Sequence, residues 1–89
     1  MKIRQERNDY NLGKNIRWLR KENGMTQESV VAQMQLLGVD ISRGTYSQIE
    51  CGISNIKVEE LLALSKIFHC EIGAFFNGIE LITKENEQE

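Results

Sequence analysis

At 89 residues the chain has room for one small domain, which buries only about 60 % of its unfolded surface, so the core must be shared among all elements. Apolar residues make up 40 % of the chain, but no run reaches the roughly 20 residues of a membrane span, and the first residues hold no apolar signal-peptide core. A cytoplasmic protein is expected, without a metal: one histidine and the scattered Cys51 and Cys70 cannot furnish four zinc ligands and read as surface and core residues.

Residues 1–10 are charged and aperiodic and read as an N-terminal arm. Leu12, Ile16 and Leu19 then repeat at helical spacing, with Asn11 placed to cap the start and Gly24 to end the helix near Asn23. Trp18 lies off that stripe, about 100° from Leu19, and needs separate cover, from Ile3 or from Ile79, Leu81 and Ile82. Thr26 is a good N-cap for a second helix that buries Val30, Val31 and Met34, is extended at most to Leu37, and stops at Gly38. After the connector Val39-Asp40-Ile41, Ser42 caps a third helix that runs to Glu50 and stops at Cys51-Gly52. A polar loop, 53–57, leads to a fourth helix at about Val58–Phe68 with Leu61, Leu64, Ser65 and Phe68 on one face. EIGAFF reads as a short fifth helix closed by Asn77-Gly78. Residues 79–89 read as an apolar stub followed by an acidic tail. With no proline and no strand alternation, the expectation is an all-α, compact five-helix domain over residues 11–78.

The third helix is the informative one. SRGTYSQIE buries a single stripe, Tyr46 and Ile49, and leaves Arg43, Gly44, Thr45, Ser47 and Gln48 on free faces. A helix from Gln27, a turn at Gly38 and this short polar helix make a helix-turn-helix, which presents its second helix to the DNA major groove. Charge is distributed in keeping with that. Residues 1–21 hold seven Lys/Arg against Glu6 and Asp9, while residues 22–89 hold four against eleven acids.

The segments LGKNIRWLRKENGMTQESV, SRGTYSQIECG and LLALSKIFHCEIGAFFNG occur in an order and spacing that resemble the phage-repressor, Cro-like helix-turn-helix family of bacterial and phage DNA-binding proteins. The resemblance implies a lambda-repressor-like fold and sequence-specific binding of double-stranded DNA by a transcriptional regulator, a repressor more than an activator, acting as a homodimer. It implies a DNA-binding set of Gln27, Ser42, Arg43, Gly44, Thr45, Ser47, Gln48 and Asn55. Gln27 and Asn55 are expected on phosphates, Gln48 on an adenine edge, and Arg43 on a guanine edge or a phosphate. Arg20 and Glu50 are expected to form a structural ion pair between the first and third helices. The chain departs from the family pattern in its longer QLLGVDIS connection, in Val30-Val31, in Gly44 at a position where relatives place a base-contacting side chain, and in Trp18. No nucleophile–base pair, carboxylate pair or phosphate-cradling loop appears, so neither enzyme activity nor a cofactor is expected. The acidic balance after residue 21 and Gly44 leave a second reading, a protein-interaction module such as an antitoxin or anti-repressor with a protein partner.

Overall fold

The computed structural model describes the backbone of residues 2–79 and the side chains of residues 12–79. Four α-helices, α1 Lys2–Glu22, α2 Gln27–Leu36, α3 Arg43–Glu50 and α4 Val58–Phe68, precede a 3-10 turn, Ile72–Phe76, and no strand occurs among the described residues. The fold class is therefore all-α, as expected. α1 packs on α3 and on the 3-10 turn, while α2 packs on α3 and α4. The core they enclose is built from Ile16, Val30, Met34, Tyr46, Leu64 and Phe75, each fully buried.

The helix starts and stops follow local chemistry. Thr26 Oγ1 accepts the Ser29 N–H at 3.0 Å and Ser42 Oγ accepts the Thr45 N–H at 3.1 Å, so both arms of the helix-turn-helix open on a side-chain cap. At α4 the Glu60 carboxylate reaches back to the Lys57 N–H at 2.8 Å, which accounts for a buried acid on that helix. His69 ends α4 in the left-handed region, φ 55°, where glycine is the usual occupant.

Two expectations are corrected, the start of the first helix and the buried stripe of the fourth. The first helix does not start at Asn11: α1 runs from Lys2, so Asn11 lies inside it and the backbone of residues 2–10 is helical rather than an irregular arm. The long QLLGVDIS connection does not extend α2, which stops at Leu36 with Leu37 as its C-cap, half exposed. Instead the connection has its own alternation. Val39 and Ile41 are buried, Asp40 and Ser42 are exposed, and Gln35 Nε2 donates to the Ile41 carbonyl at 3.1 Å. The α4 stripe is rotated: Glu60, Ala63, Leu64, Ile67 and Phe68 are buried, whereas Leu61 and Ser65 are only partly so. Facing both α2 and the 3-10 turn, α4 buries an arc on the Ala63–Ile67 side of the expected line. The short fifth helix is of the 3-10 kind, with Asn77 as its C-cap. Asn15 holds it down, donating from Nδ2 to the carbonyls of Phe75 and Asn77, both at 2.8 Å. Leu81 and Ile82 lie outside the described residues.

A close backbone approach occurs at Gly13, which is buried in α1. A Cβ there would sit 2.5 Å from the carbonyl oxygens of both Ile49 and Glu50. The helices thus meet backbone to backbone at the end of α3. Gly44, in the first turn of α3, is the opposite case: a Cβ would meet nothing nearer than Ser42 Oγ at 3.9 Å. Alanine gains about 1 kcal/mol over glycine in a helix interior, but overpacking against atoms that cannot move costs about 1–3 kcal/mol. The two Gly→Ala substitutions should therefore have opposite signs. Gly13→Ala should lower the melting temperature and Gly44→Ala should raise it, by about 4–8 °C per kcal/mol in a domain of this size. Thermal unfolding of the two variants beside the parent chain measures both; a rise for both would show that α1 slides freely over α3.

Candidate nucleic-acid interface

α3 is an amphipathic helix whose polar face carries mostly small side chains. Tyr46 and Ile49 are buried, and Glu50 joins them. Ser42, Arg43, Gly44, Thr45 and Gln48 are exposed, and Ser47 is half-buried. The inward stripe seats the helix; the outward face is free of packing duties. Asn55 is exposed in the loop that follows.

The seat is fixed by a charged cluster at the C-terminal end of α3. Arg20 Nε lies 2.7 Å from Glu50 Oε2 and Nη2 lies 3.1 Å from Oε1, a two-pronged pair that is buried on both sides. The third arm of the guanidinium, Nη1, donates to the Met25 carbonyl at 2.9 Å, in the turn between α1 and α2. Gln27 Nε2 donates to Glu50 Oε1 at 3.0 Å. One carboxylate therefore joins α1, the start of α2 and the end of α3. Burial alone would push the Glu50 carboxyl up; the hydrogen bonds from Arg20 and Gln27, with the Tyr46 hydroxyl close by, outweigh it and hold the carboxyl below its ordinary value. The hydrogen bond to Glu50 raises Arg20 in turn. The Tyr46 hydroxyl is buried beside the pair, near enough to Glu50 to feel its charge but with no hydrogen bond of good geometry. Burial first, then the carboxylate, pushes that phenol far up, so it stays neutral.

Four of the outward side chains have partners. Arg43 Nη1 lies 3.4 Å from Glu28 Oε2 across the helix-turn-helix, with both side chains largely exposed. Gln48 Oε1 accepts the Ser54 hydroxyl at 2.9 Å, and the Gln48 carbonyl accepts the N–H of Ile53 at 2.9 Å. Thr45 Oγ1 accepts the Ser42 hydroxyl at 3.1 Å. Gln27, expected on the surface, is half-buried and faces Glu50 as well as the rim of a cleft of about 310 Å³. Lys14, Arg17 and the exposed Cys51 also line this cleft. Four residues of the site were not singled out from sequence: Glu28 and Ser54 as partners of Arg43 and Gln48, and Lys14 and Arg17 on the rim. The surplus of positive charge over residues 1–21 and the three-residue spacing of Lys14, Arg17 and Arg20 on one helix were signals for the last two.

A family model described as Helix-turn-helix matches residues 16–75, from the middle of α1 through the 3-10 turn. The chain belongs to that family. As a helix-turn-helix protein of the phage-repressor, Cro-like kind it is a DNA-binding transcription regulator. The search of curated proteins returned no match, and neither did the search of solved structures. Among the described residues no helix is long and apolar enough to cross a membrane, and no group of three or more His, Cys, Asp or Glu is placed to hold a metal.

The buried pair of this helix-turn-helix protein makes a pH-dependent contribution to stability. Glu50 has its folded-state pKa below the ordinary 4.5, so its contribution is full above the unfolded value and is lost as pH falls through the lower folded one. Glu50→Gln removes that dependence and strands the Arg20 charge, at a cost of about 3–5 kcal/mol. Melting temperatures of the two chains should therefore be far apart at neutral pH and converge in acid, as pH falls below the unfolded value and through the lower folded one. A constant gap across the range would mean that the carboxylate is not what the pair contributes.

Proposed function

We propose that this regulator reads a specific duplex sequence through α3, with Arg43 and Gln48 on base edges and Gln27 and Asn55 on phosphates. The observation that carries this reading is the division of α3: a buried stripe anchored to α1 through Glu50, and an exposed face of small polar residues on which two long side chains stand. Ser42, Thr45 and Ser47 supply short contacts to phosphate or to base methyl groups, and Gly44 lets the α3 backbone approach DNA closely.

Magnitudes favour release of the existing partners on binding. An exposed pair such as Arg43–Glu28 contributes about 0–1 kcal/mol, whereas a two-pronged contact to a base contributes about 1–3 kcal/mol of discrimination. Gln48 need not give up Ser54, because the amide oxygen has two lone pairs and the amide nitrogen remains to donate. Ser54 thereby orients the amide for an adenine edge. Gln27 can turn from Glu50 to a phosphate at the α2 N-terminus, where the helix dipole favours an anion. We further propose a cytoplasmic homodimer on inverted half-sites about 34–36 Å apart, acting as a repressor by occupying its site.

A second reading, an interaction module such as an antitoxin or anti-repressor with a protein partner, draws on the same Arg43–Glu28 pair, which neutralises the one cation of α3. Titration with duplex DNA at several salt concentrations separates the two: the regulator loses affinity steeply as salt rises, and the interaction module binds no DNA at any salt. On a site selected from random duplexes, Gln48→Ala should weaken binding about 5- to 150-fold while leaving random DNA almost unaffected. Equal losses on both would place Gln48 on a phosphate.

A further inference from the structure

α3 carries one cation, Arg43, and the Glu28 carboxylate already faces it at 3.4 Å. Residues 22–89 as a whole hold eleven acids against four Lys/Arg. Contacts to phosphate supply nearly all of a protein's sequence-independent affinity for DNA, so that attraction has to come from another element. The cations are on α1. Lys14, Arg17 and Arg20 follow one another at three-residue spacing and line a single cleft of about 310 Å³ with Gln27, Glu50 and Cys51.

The groups of this cleft differ in how they are engaged. Arg20 is buried against Glu50, whose two oxygens accept from Arg20 and Gln27. That carboxylate is thus compensated where it lines the cleft. Arg17 is exposed on the rim. Trp18, its neighbour in sequence, stays 61 % exposed and lines a different groove, beside Ala74 and Asn77, so it is no part of this cleft. Gln27 is the first residue of α2, the helix that crosses the DNA backbone when a helix-turn-helix docks. A strand that passes the start of α2 therefore passes the cleft that Gln27 shares with α1. We propose that Arg17, with Lys14 beside it, holds a phosphate of the DNA backbone in this cleft, so that the footprint of the domain extends from the helix-turn-helix onto α1.

The proposal rests on the reading of α3 as the groove helix and adds a division of labour to it: α3 chooses the sequence, and α1 supplies salt-dependent attraction. A guanidinium suits this place, because its planar fork takes two oxygens of one phosphate. A free phosphate would meet the same cations, but a backbone phosphate arrives tethered. Once α3 is docked its contact with Arg17 is intramolecular, at an effective concentration in the millimolar range. DNA is therefore the occupant.

The test follows duplex binding by the full-length chain against salt, for a selected site and for random DNA. Arg17→Ala should weaken both by the same factor and make the slope of log affinity on log salt shallower by about 0.9. The parent's advantage over the variant then shrinks about 3.5-fold between about 50 and 200 mM salt. Arg17→Lys keeps the charge and should restore the slope. Lys66→Ala, which removes a cation from a separate groove between α2 and α4, should leave it unchanged. Cys51 reports on the cleft directly, being exposed there, whereas Cys70 is half-buried and does not line it. Saturating duplex should slow alkylation of Cys51 by iodoacetamide, and inorganic phosphate at equal ionic strength should not. A parent chain that binds no duplex at any salt overturns the reading of α3 and this proposal together. Binding by the parent with an unchanged slope in Arg17→Ala overturns the proposal alone. So does a loss confined to the selected site, or Cys51 alkylated as fast in the saturated complex as in the free chain. Protection of Cys51 by inorganic phosphate equal to that by duplex overturns it as well, by making the cleft a site for free phosphate.

Discussion

A buried pair between Arg20 and Glu50 is the constraint on which the rest of this small domain depends. Taking two charges out of water is costly, and attraction between them repays that cost only when every remaining donor and acceptor is used. Here they are used. The guanidinium spends two arms on the carboxylate and one on the Met25 carbonyl, and the carboxylate takes a further hydrogen bond from Gln27. Such a pair adds little net stability compared with apolar packing, but it admits one geometry. It fixes where α3 ends, how the α1–α2 turn is held and where the start of α2 lies. In a domain whose candidate DNA-binding face is a two-turn helix, uniqueness of position matters more than another kilocalorie of burial.

The apolar core completes what the pair begins. Tyr46 and Ile49 press α3 onto Ile16, Val30 and Met34, and α4 closes the far side with Leu64 and Phe68. The extra residues between α2 and α3 could have left the recognition helix on a slack tether. Val39 and Ile41 prevent this by entering the core, so the longer connection is as firmly held as a short one. The helix-turn-helix is thus enlarged without being loosened.

The sequence displayed the helix-turn-helix more plainly than its surroundings, for a physical reason. Caps and single stripes are local signals. Thr26, Ser42 and the Tyr46–Ile49 pair announce themselves within a few residues, and the structure places them as expected. The start of α1 was hidden because residues 2–10 are charged and carry no apolar period, so nothing marked them as helical against the arm reading. The α4 stripe was misjudged by a fraction of a turn. Its direction depends on where α2 and the 3-10 turn lie, which no window of α4 contains. At the candidate site the long-range pair of Arg20 with Glu50 came from family resemblance. The pairing of Arg43 with Glu28, the turn of Gln27 toward Glu50 and the hold of Ser54 on Gln48 all depend on side chains meeting across elements, and local pattern is silent about them.

The contact at Gly13 has a mechanical meaning. Most helix pairs touch through side chains, whose torsions act as springs and absorb small displacements. α1 and α3 touch through peptide groups, with the carbonyls of Ile49 and Glu50 lying where a Cβ would be. Peptide planes do not bend at the energies available to thermal motion. α1 is about 31 Å long at 1.5 Å per residue, and Gly13 lies near its middle. The helix is therefore a lever with a stiff fulcrum: a push on either arm of α1 reaches α3 as a rigid tilt rather than being dissipated in rotamers.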